Sequence, residues 1–174
     1  GGVSSEREIS LRSGKACIKA LKQLNHKTIV FDPAKEQLSK IKQFKKKVDL
    51  VFNALHGRDG EDGIAQSYFE YFKIPYTHSG VISSMNAMDK IISKKIFKKN
   101  KLLTPNHIFL NSINYSKNLK KKVLRNLNSS YPMVVKPSNE GSSIGVEICK
   151  NFNQLKLSVD KLIKNYKSLI VENY

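Results

Sequence analysis

Val48, Leu50, Val51, Phe52 and Ala54 make residues 48–54 a nearly continuous apolar run. A strand with that pattern is buried on both faces, which calls for a parallel sheet with helices above and below it. The neighbouring segments supply the alternation. Residues 5–25 read as a helix that Ser4 or Ser5 can cap. Glu6 and Glu8 sit at the positive end of its dipole, and Ile9, Ala16, Ala20 and Leu24 lie near one stripe. Residues 27–32 read as a short strand closed by Pro33, residues 35–44 as a second helix and residues 64–72 as a third. Helix and strand alternating in this way predict an α/β domain with a parallel sheet. The opening Gly1-Gly2 pair is of the kind that commonly follows a strand, so a strand is expected upstream.

The second half has a different rhythm. A helix is expected over residues 89–100, and Pro105 precedes a strand over residues 107–110. Residues 133–136 and 145–149 read as two strands of a hairpin whose tip is small and polar. A helix over residues 152–165 and a strand over residues 169–172 follow. The change places a domain boundary near Met88, dividing the chain into residues 1–88 and 89–174. A length of 174 residues accommodates two small domains.

Charge is the strongest compositional signal. The formal net charge is +17, which invites a nucleic-acid reading. The lysines, however, fall on the polar faces of helices. In residues 118–128, Leu119, Val123, Leu124 and Leu127 share one side and the lysines take the other. The second half carries the larger excess, 17 basic against 5 acidic residues, which suits a polyanionic ligand there. A basic nucleic-acid-binding module remains the alternative from a different class; DNA binding that persists at roughly 0.2 M salt would mark it. No stretch approaches the roughly 18 apolar residues of a membrane helix. Cys17 and Cys149 are far apart and lack metal-site spacing. They read as ordinary thiols of a reducing compartment.

Four stretches carry candidate chemistry. Gly1-Gly2-Val3-Ser4-Ser5-Glu6 is a glycine turn at a helix start. Glu6 there either meets an ammonium ligand at the carboxyl edge of the sheet or serves as a helix-start acid. His56-Gly57-Arg58-Asp59-Gly60-Glu61-Asp62-Gly63 follows the buried run. His56 either donates to a substrate carboxylate or bonds to backbone, and Glu61 and Asp62 are expected to brace the loop. Lys136-Pro137-Ser138-Asn139-Glu140-Gly141-Ser142-Ser143-Ile144-Gly145 joins a lysine to a loop whose amides can wrap phosphate oxygens. It lacks the Gly-Lys-Ser/Thr ending of a Walker A loop. Met88-Asp89-Lys90 opens a helix with a lysine that either reaches a phosphate or lies on the surface.

Together these stretches resemble the D-alanine–D-alanine ligase family. The opening Gly-Gly-x-Ser-x-Glu-Arg-Glu-Ile-Ser-Leu-x-Ser-Gly signature spans residues 1–14. Ala54-Leu55-His56-Gly57, Gly60-Glu61-Asp62-Gly63, Ile74-Pro75-Tyr76-Thr77, Met88-Asp89-Lys90 and Lys136-Pro137-x-x-Glu140-Gly141-Ser142-Ser143 follow in order. The resemblance covers the chain from Gly1 to Tyr174.

The resemblance implies an N-terminal parallel-sheet, Rossmann-like, substrate-binding domain over residues 1–88. The first lobe of an ATP-grasp domain follows over residues 89–174, its C-terminal lobe lying beyond. It implies a cytoplasmic, homodimeric enzyme of peptidoglycan synthesis that acts on D-alanine and ATP, with neither nucleic acid nor membrane as partner. Glu6 and Ser142 match the catalytic network around the first D-alanine, and His56 matches the histidine near its carboxylate. Lys90, Lys136 and the Ser143 loop match the groups that hold ATP phosphates, and Glu172 matches the contact to adenine. The magnesium ligands of the family follow the hinge strand, so none is expected among these residues. The 174-residue polypeptide alone is therefore expected to lack ligase activity. Sister ligases that make D-alanyl-D-lactate or D-alanyl-D-serine share these motifs. His78 and Asp59 depart from the family by standing where glycine is usual.

Overall fold

The computed structural model describes residues 1–115, 119–127 and 131–174; the ends expected for the helix at 118 and 128, and the Leu124 side chain, lie outside the described residues. Contacts divide the chain into two compact units, Gly1–Met88 and Asp89–Tyr174.

The first unit holds α1 (Arg7–Gln23), a 3-10 helix (Leu38–Phe44), α2 (Ile64–Phe72) and α3 (Val81–Met88). Its core gathers Ile41 from the 3-10 helix, Ala65 and Phe69 from α2, and Ile74. Phe31 and Phe44 meet edge to face at 5.6 Å between ring centroids. Pairing is parallel but minimal. Val51 N donates to Pro75 O at 2.8 Å and Thr77 N to Val51 O at 3.0 Å, giving one bridge between Val51 and Tyr76.

Several expectations for this unit are corrected. Residues 48–54 are not buried on both faces: Leu50 is 52% and Phe52 46% exposed. Residues 27–32 run without a regular ladder. Val48 and Val51 are partly buried against the core that the 3-10 helix and α2 supply, and Leu50 and Phe52 are exposed. The apolar stripe expected on α1 is not the face it buries, since Ala16, Ala20 and Leu24 are exposed. The buried residue of α1 is Ser10, because this helix docks through hydroxyl groups. Its N-cap is Glu6, with no side-chain cap bond; Ser4 acts one step earlier, its Oγ accepting from Glu6 N at 3.2 Å. α3 lies outside the helices expected from the sequence.

Asp32 fixes the corner opposite α1. Its carboxylate accepts from Arg7 Nη1 and Nη2 at 3.1 and 2.9 Å, from Gly2 N at 3.0 Å and from Ala34 N at 3.1 Å. The Arg7 fork, outweighing burial, holds this carboxyl well below the usual carboxylate range. A carboxylate depressed in the folded state stabilises above its unfolded pKa and loses that effect as pH falls through the folded value. Asp32→Asn is thus expected to lower the melting temperature at pH 7, with the difference from wild type shrinking progressively as pH falls below about 4 and still present in part at the acid end of the melts, checked by thermal melts of both proteins.

The second unit is a four-stranded antiparallel sheet in the order β1-β4-β2-β3. The strands are β1 (His107–Asn111), β2 (Met133–Pro137), β3 (Glu147–Cys149) and β4 (Ser168–Asn173). The helices are α4 (Lys90–Lys99), α5 (Leu119–Leu127) and α6 (Phe152–Asn165). Asp89 caps α4 by accepting from Ile91 N and Ile92 N at 2.8 and 3.2 Å, and Asn151 caps α6 by accepting from Gln154 N at 3.0 Å. α5 buries Leu119, Val123 and Leu127, and α6 buries Leu155, Val159 and Leu162, in a core shared with Leu110, Met133 and Leu169. The central position of β4 puts Leu169, Ile170, Val171 and Glu172 all in the buried class. Both cysteines are free. Among the described residues no helix is long and apolar enough to cross a membrane.

Candidate functional site

The first unit builds a cup around Glu6, which is 2% exposed. Ser4 Oγ donates to His56 O at 2.8 Å, tying the helix start to the His56 loop. Two serines of α1 hold His56: Ser10 Oγ accepts from its backbone N–H at 2.9 Å, and Ser13 Oγ lies 2.9 Å from Nε2. Nδ1 is left facing Glu61 Oε1 at 3.9 Å. Glu61 Oε2 accepts from Gly57 N at 2.6 Å, and Asp62 accepts from Asp59 N and Ile64 N at 3.0 and 3.2 Å. Both acids brace the loop, as their place between glycines suggested. Gly57 has φ +72°, and a Cβ there would lie 2.7 Å from Glu6 Oε1. Only glycine lets the loop close over the carboxylate.

Glu6, His56 and Glu61 offer ligand atoms within 4.8 Å of one another. The two carboxylates form an acceptor-rich cup beside the His56 imidazole, and an ammonium group suits them by charge and hydrogen bonding. Asp59 and His78 both adopt left-handed backbone, at φ 66° and 79°. Asp and His are among the residues that tolerate this region best. His78 also meets the Phe52 ring edge to face at 5.5 Å. The two departures from glycine therefore keep the backbone that glycine would supply.

The second unit gathers lysines around one carboxylate. Glu172 stands on β4 opposite His107 of β1 and Val134 of β2. Lys136, at the end of β2, pairs with Glu172 Oε1, and Lys94 of α4 lies 2.7 Å from Oε2. Burial opposes ionisation of Glu172, but the two lysines prevail and hold its pKa below the ordinary value. Lys90 donates to Glu140 O, and its backbone N–H donates to Ser138 O at 3.0 Å. Burial first and the Lys136 charge second push the Lys90 ammonium below an ordinary lysine. His107 is pushed down mainly by burial, with Lys94 adding to it.

The loop after Lys136 carries unusual backbone. Ser142 and Ser143 take φ 45° and 62°, a region that favours glycine. Gly145 follows at φ +70°, where a Cβ would meet Pro137 Cγ at 2.8 Å. The two serines form a turn closed by Ile144 N donating to Gly141 O at 2.9 Å, and the amides of such a turn can face an anion. Serine in such strain points to function more than to stability.

Two groups of residues escaped the sequence reading. Lys94 hid among many lysines; its one signal was its place a helical turn after Lys90. Ser10 and Ser13 lay in the matched signature, at one-turn spacing, but nothing linked them to His56 before the fold did.

A family description, "D-ala D-ala ligase N-terminus", matches residues 32–79, and a second, "D-ala D-ala ligase C-terminus", matches residues 96–174. The chain is 48% identical over its whole length to the D-alanine–D-alanine ligase of Pelagibacter ubique, of which it covers 55%. It superposes on the crystal structure of the Bacillus anthracis D-alanine–D-alanine ligase with a TM-score of 0.84 at 31% identity, covering 99% of this chain and 55% of that one. The same enzyme complexed with ATP gives a TM-score of 0.80 at 30% identity, covering 99% of this chain and 56% of that one. The chain thus spans about half the length of the curated relatives it matches.

Proposed function

We propose, on the premise that the chain belongs to the D-alanine–D-alanine ligase family, that it carries the first-substrate and nucleotide-binding parts of an enzyme joining two D-alanines at the expense of ATP. The observation that carries this reading is the contrast between two cups. Carboxylates gather around Glu6 and His56 in Gly1–Met88, and the ammonium groups of Lys94 and Lys136 converge on Glu172 in Asp89–Tyr174. The first suits the ammonium end of an amino acid and the second suits a nucleotide.

In this reading Gly1–Met88 is the substrate-binding domain. Glu6 accepts from the ammonium group of the first D-alanine, and His56 donates to its carboxylate. Ser142 is assigned a catalytic role in the same reaction. Asp89–Tyr174 is the first lobe of an ATP-grasp domain. Lys90, Lys136 and the Ser143 amide hold phosphate oxygens, and the Glu172 carboxylate accepts from the adenine amine. The γ-phosphoryl group passes to a carboxylate oxygen of the first D-alanine and ADP leaves. The amine of the second attacks the acyl carbon, the bond to phosphate breaks and the nitrogen gives up a proton. Phosphoryl transfer needs positioning and charge neutralisation above all, which is what paired lysines and a fixed ammonium anchor provide.

Magnesium supplies further neutralisation in such reactions. The charged groups assigned to the phosphates, Lys90 and Lys136, are ammonium groups, and Glu172 is already shared by Lys94 and Lys136. This set does not fit a magnesium ion, and no step is assigned to one held here. The proposed setting is the cytoplasm and the proposed assembly a homodimer, which sedimentation of the complete gene product checks.

Phosphate release from ATP by the complete gene product tests the reading. D-alanine, L-alanine, D-alanine with D-serine, and D-alanine with D-lactate are offered in turn. Release with D-alanine alone, lost in Ser142→Ala, is expected. Release only with a mixed pair would move the function to a sister ligase, and release with none of them would remove the function while leaving the fold.

Lys90 adds a pH signature. Its pKa is depressed in the free protein, and a bound phosphate raises it again. ATP affinity is then full below the free-state value and falls as pH rises above it. The alkaline fall is expected to begin below the range of an ordinary lysine and to move upward in Lys90→Arg, read by titrating ATP across pH 7–11.

A further inference from the structure

Lys94 is assigned no ligand in the reading above, yet it is the most deeply buried lysine among the described residues. Of 31 basic residues, it is the one in the buried class among the described residues, at 6% exposure. Its ammonium donates to Thr104 Oγ1 at 2.7 Å and to Pro105 O at 3.2 Å, and it lies 2.7 Å from Glu172 Oε2. Its two hydrogen bonds go to neutral oxygens, and the Glu172 carboxylate faces it as a counter-ion.

Burying a lysine against a carboxylate is a poor route to stability. Desolvation opposes the Coulomb attraction, and apolar side chains of similar size often serve as well or better. What the pair does supply is direction. Lys94 is fixed by two groups outside the pair, Thr104 and Pro105, so it pins one oxygen of Glu172. The other oxygen carries Lys136, whose side chain is more exposed than that of Lys94. The two oxygens are therefore unequal: Oε2 has a fixed partner, and Oε1 has one that can turn away.

We propose that Lys94 is a positioning residue that holds the Glu172 carboxylate by Oε2, so that Oε1 accepts the 6-amino group of a purine once Lys136 turns to phosphate. The inference rests on the assignment of Glu172 and Lys136 to the nucleotide. Its consequence is base selectivity. A carboxylate held in place accepts from a 6-amino group and repels a 6-oxo group. A carboxylate free to rotate loses both effects.

The test compares ATP with ITP, which carries oxygen in place of the amine, and with tripolyphosphate, which has no base. Binding to the complete gene product is measured by calorimetry. Wild type is expected to prefer ATP over ITP by roughly ten- to a hundredfold. In Lys94→Met that preference falls to about one while tripolyphosphate affinity stays the same, and Lys94→Arg restores part of it. Loss of all three ligands in equal proportion, or retention of the preference in Lys94→Met, would overturn the proposal. Should Lys94→Met fail to fold, Thr104→Val decides, since it loosens Lys94 and keeps the charge; an unchanged preference there also overturns it. Absence of any preference in wild type would instead remove the adenine assignment of Glu172, and this inference with it.

Discussion

Glu6→Gln in the complete gene product raises the D-alanine concentration needed for half-maximal phosphate release by roughly 10²- to 10³-fold. The estimate follows from what the substitution leaves behind. Glutamine keeps the shape of a side chain that is 2% exposed and pressed against Gly57, so the fold and the helix start remain. It removes the negative charge that faces the ammonium group. Breaking one partner of a buried ion pair costs about 3–5 kcal/mol, against about 1 kcal/mol for a neutral hydrogen bond. Much of that cost is the uncompensated charge left on the ligand. The loss should fall on D-alanine and spare ATP, since the nucleotide is assigned to other residues. D-alanine kinetics at saturating ATP, with ATP binding measured in parallel, provide the check. A drop in both affinities would mean that Glu6 supports the fold, and an unchanged D-alanine dependence would remove it from the substrate.

How far the sequence alone carried depends on the kind of force involved. The helices and strands of Asp89–Tyr174 were legible because their hydrophobic period survives in the fold; Phe152–Asn165 alternates buried and exposed faces as its pattern demands. In Gly1–Met88 the same logic failed for α1. That helix docks through Ser10 and Ser13 hydrogen bonds to His56, which hydrophobic periodicity does not register. It failed again for residues 48–54, where an apolar run does not tell one buried face from two. The candidate site was legible where motifs put glycine beside acid, as at Gly57 and Glu61. It was not legible at Lys94, because a lysine's composition signal is the same whether its ammonium faces water or a carboxylate. Only the position of Thr104, Pro105 and Glu172 around it distinguishes the two.

Lys136→Met is expected to weaken ATP binding by roughly a hundredfold while leaving adenosine binding unchanged or slightly tighter. Two effects of opposite sign meet at this residue. Its ammonium contributes a charge-assisted contact to phosphate, worth about 3 kcal/mol in a partly desolvated site. It also occupies Glu172 Oε1, which a base amine must otherwise compete for. For ATP the phosphate contact is the larger effect, so affinity falls. Adenosine has no phosphate, so only the competition remains, and its removal favours binding. Glu172 stays paired with Lys94 in the variant, which limits the loss of stability and keeps the comparison interpretable. Calorimetry with ATP, ADP and adenosine reads the pattern, the penalty growing with the number of phosphates that Lys136 reaches. Equal weakening of all three would show that Lys136 serves the sheet and not the nucleotide. No weakening of any would leave Lys90 and the Ser143 loop as the groups that hold the phosphates.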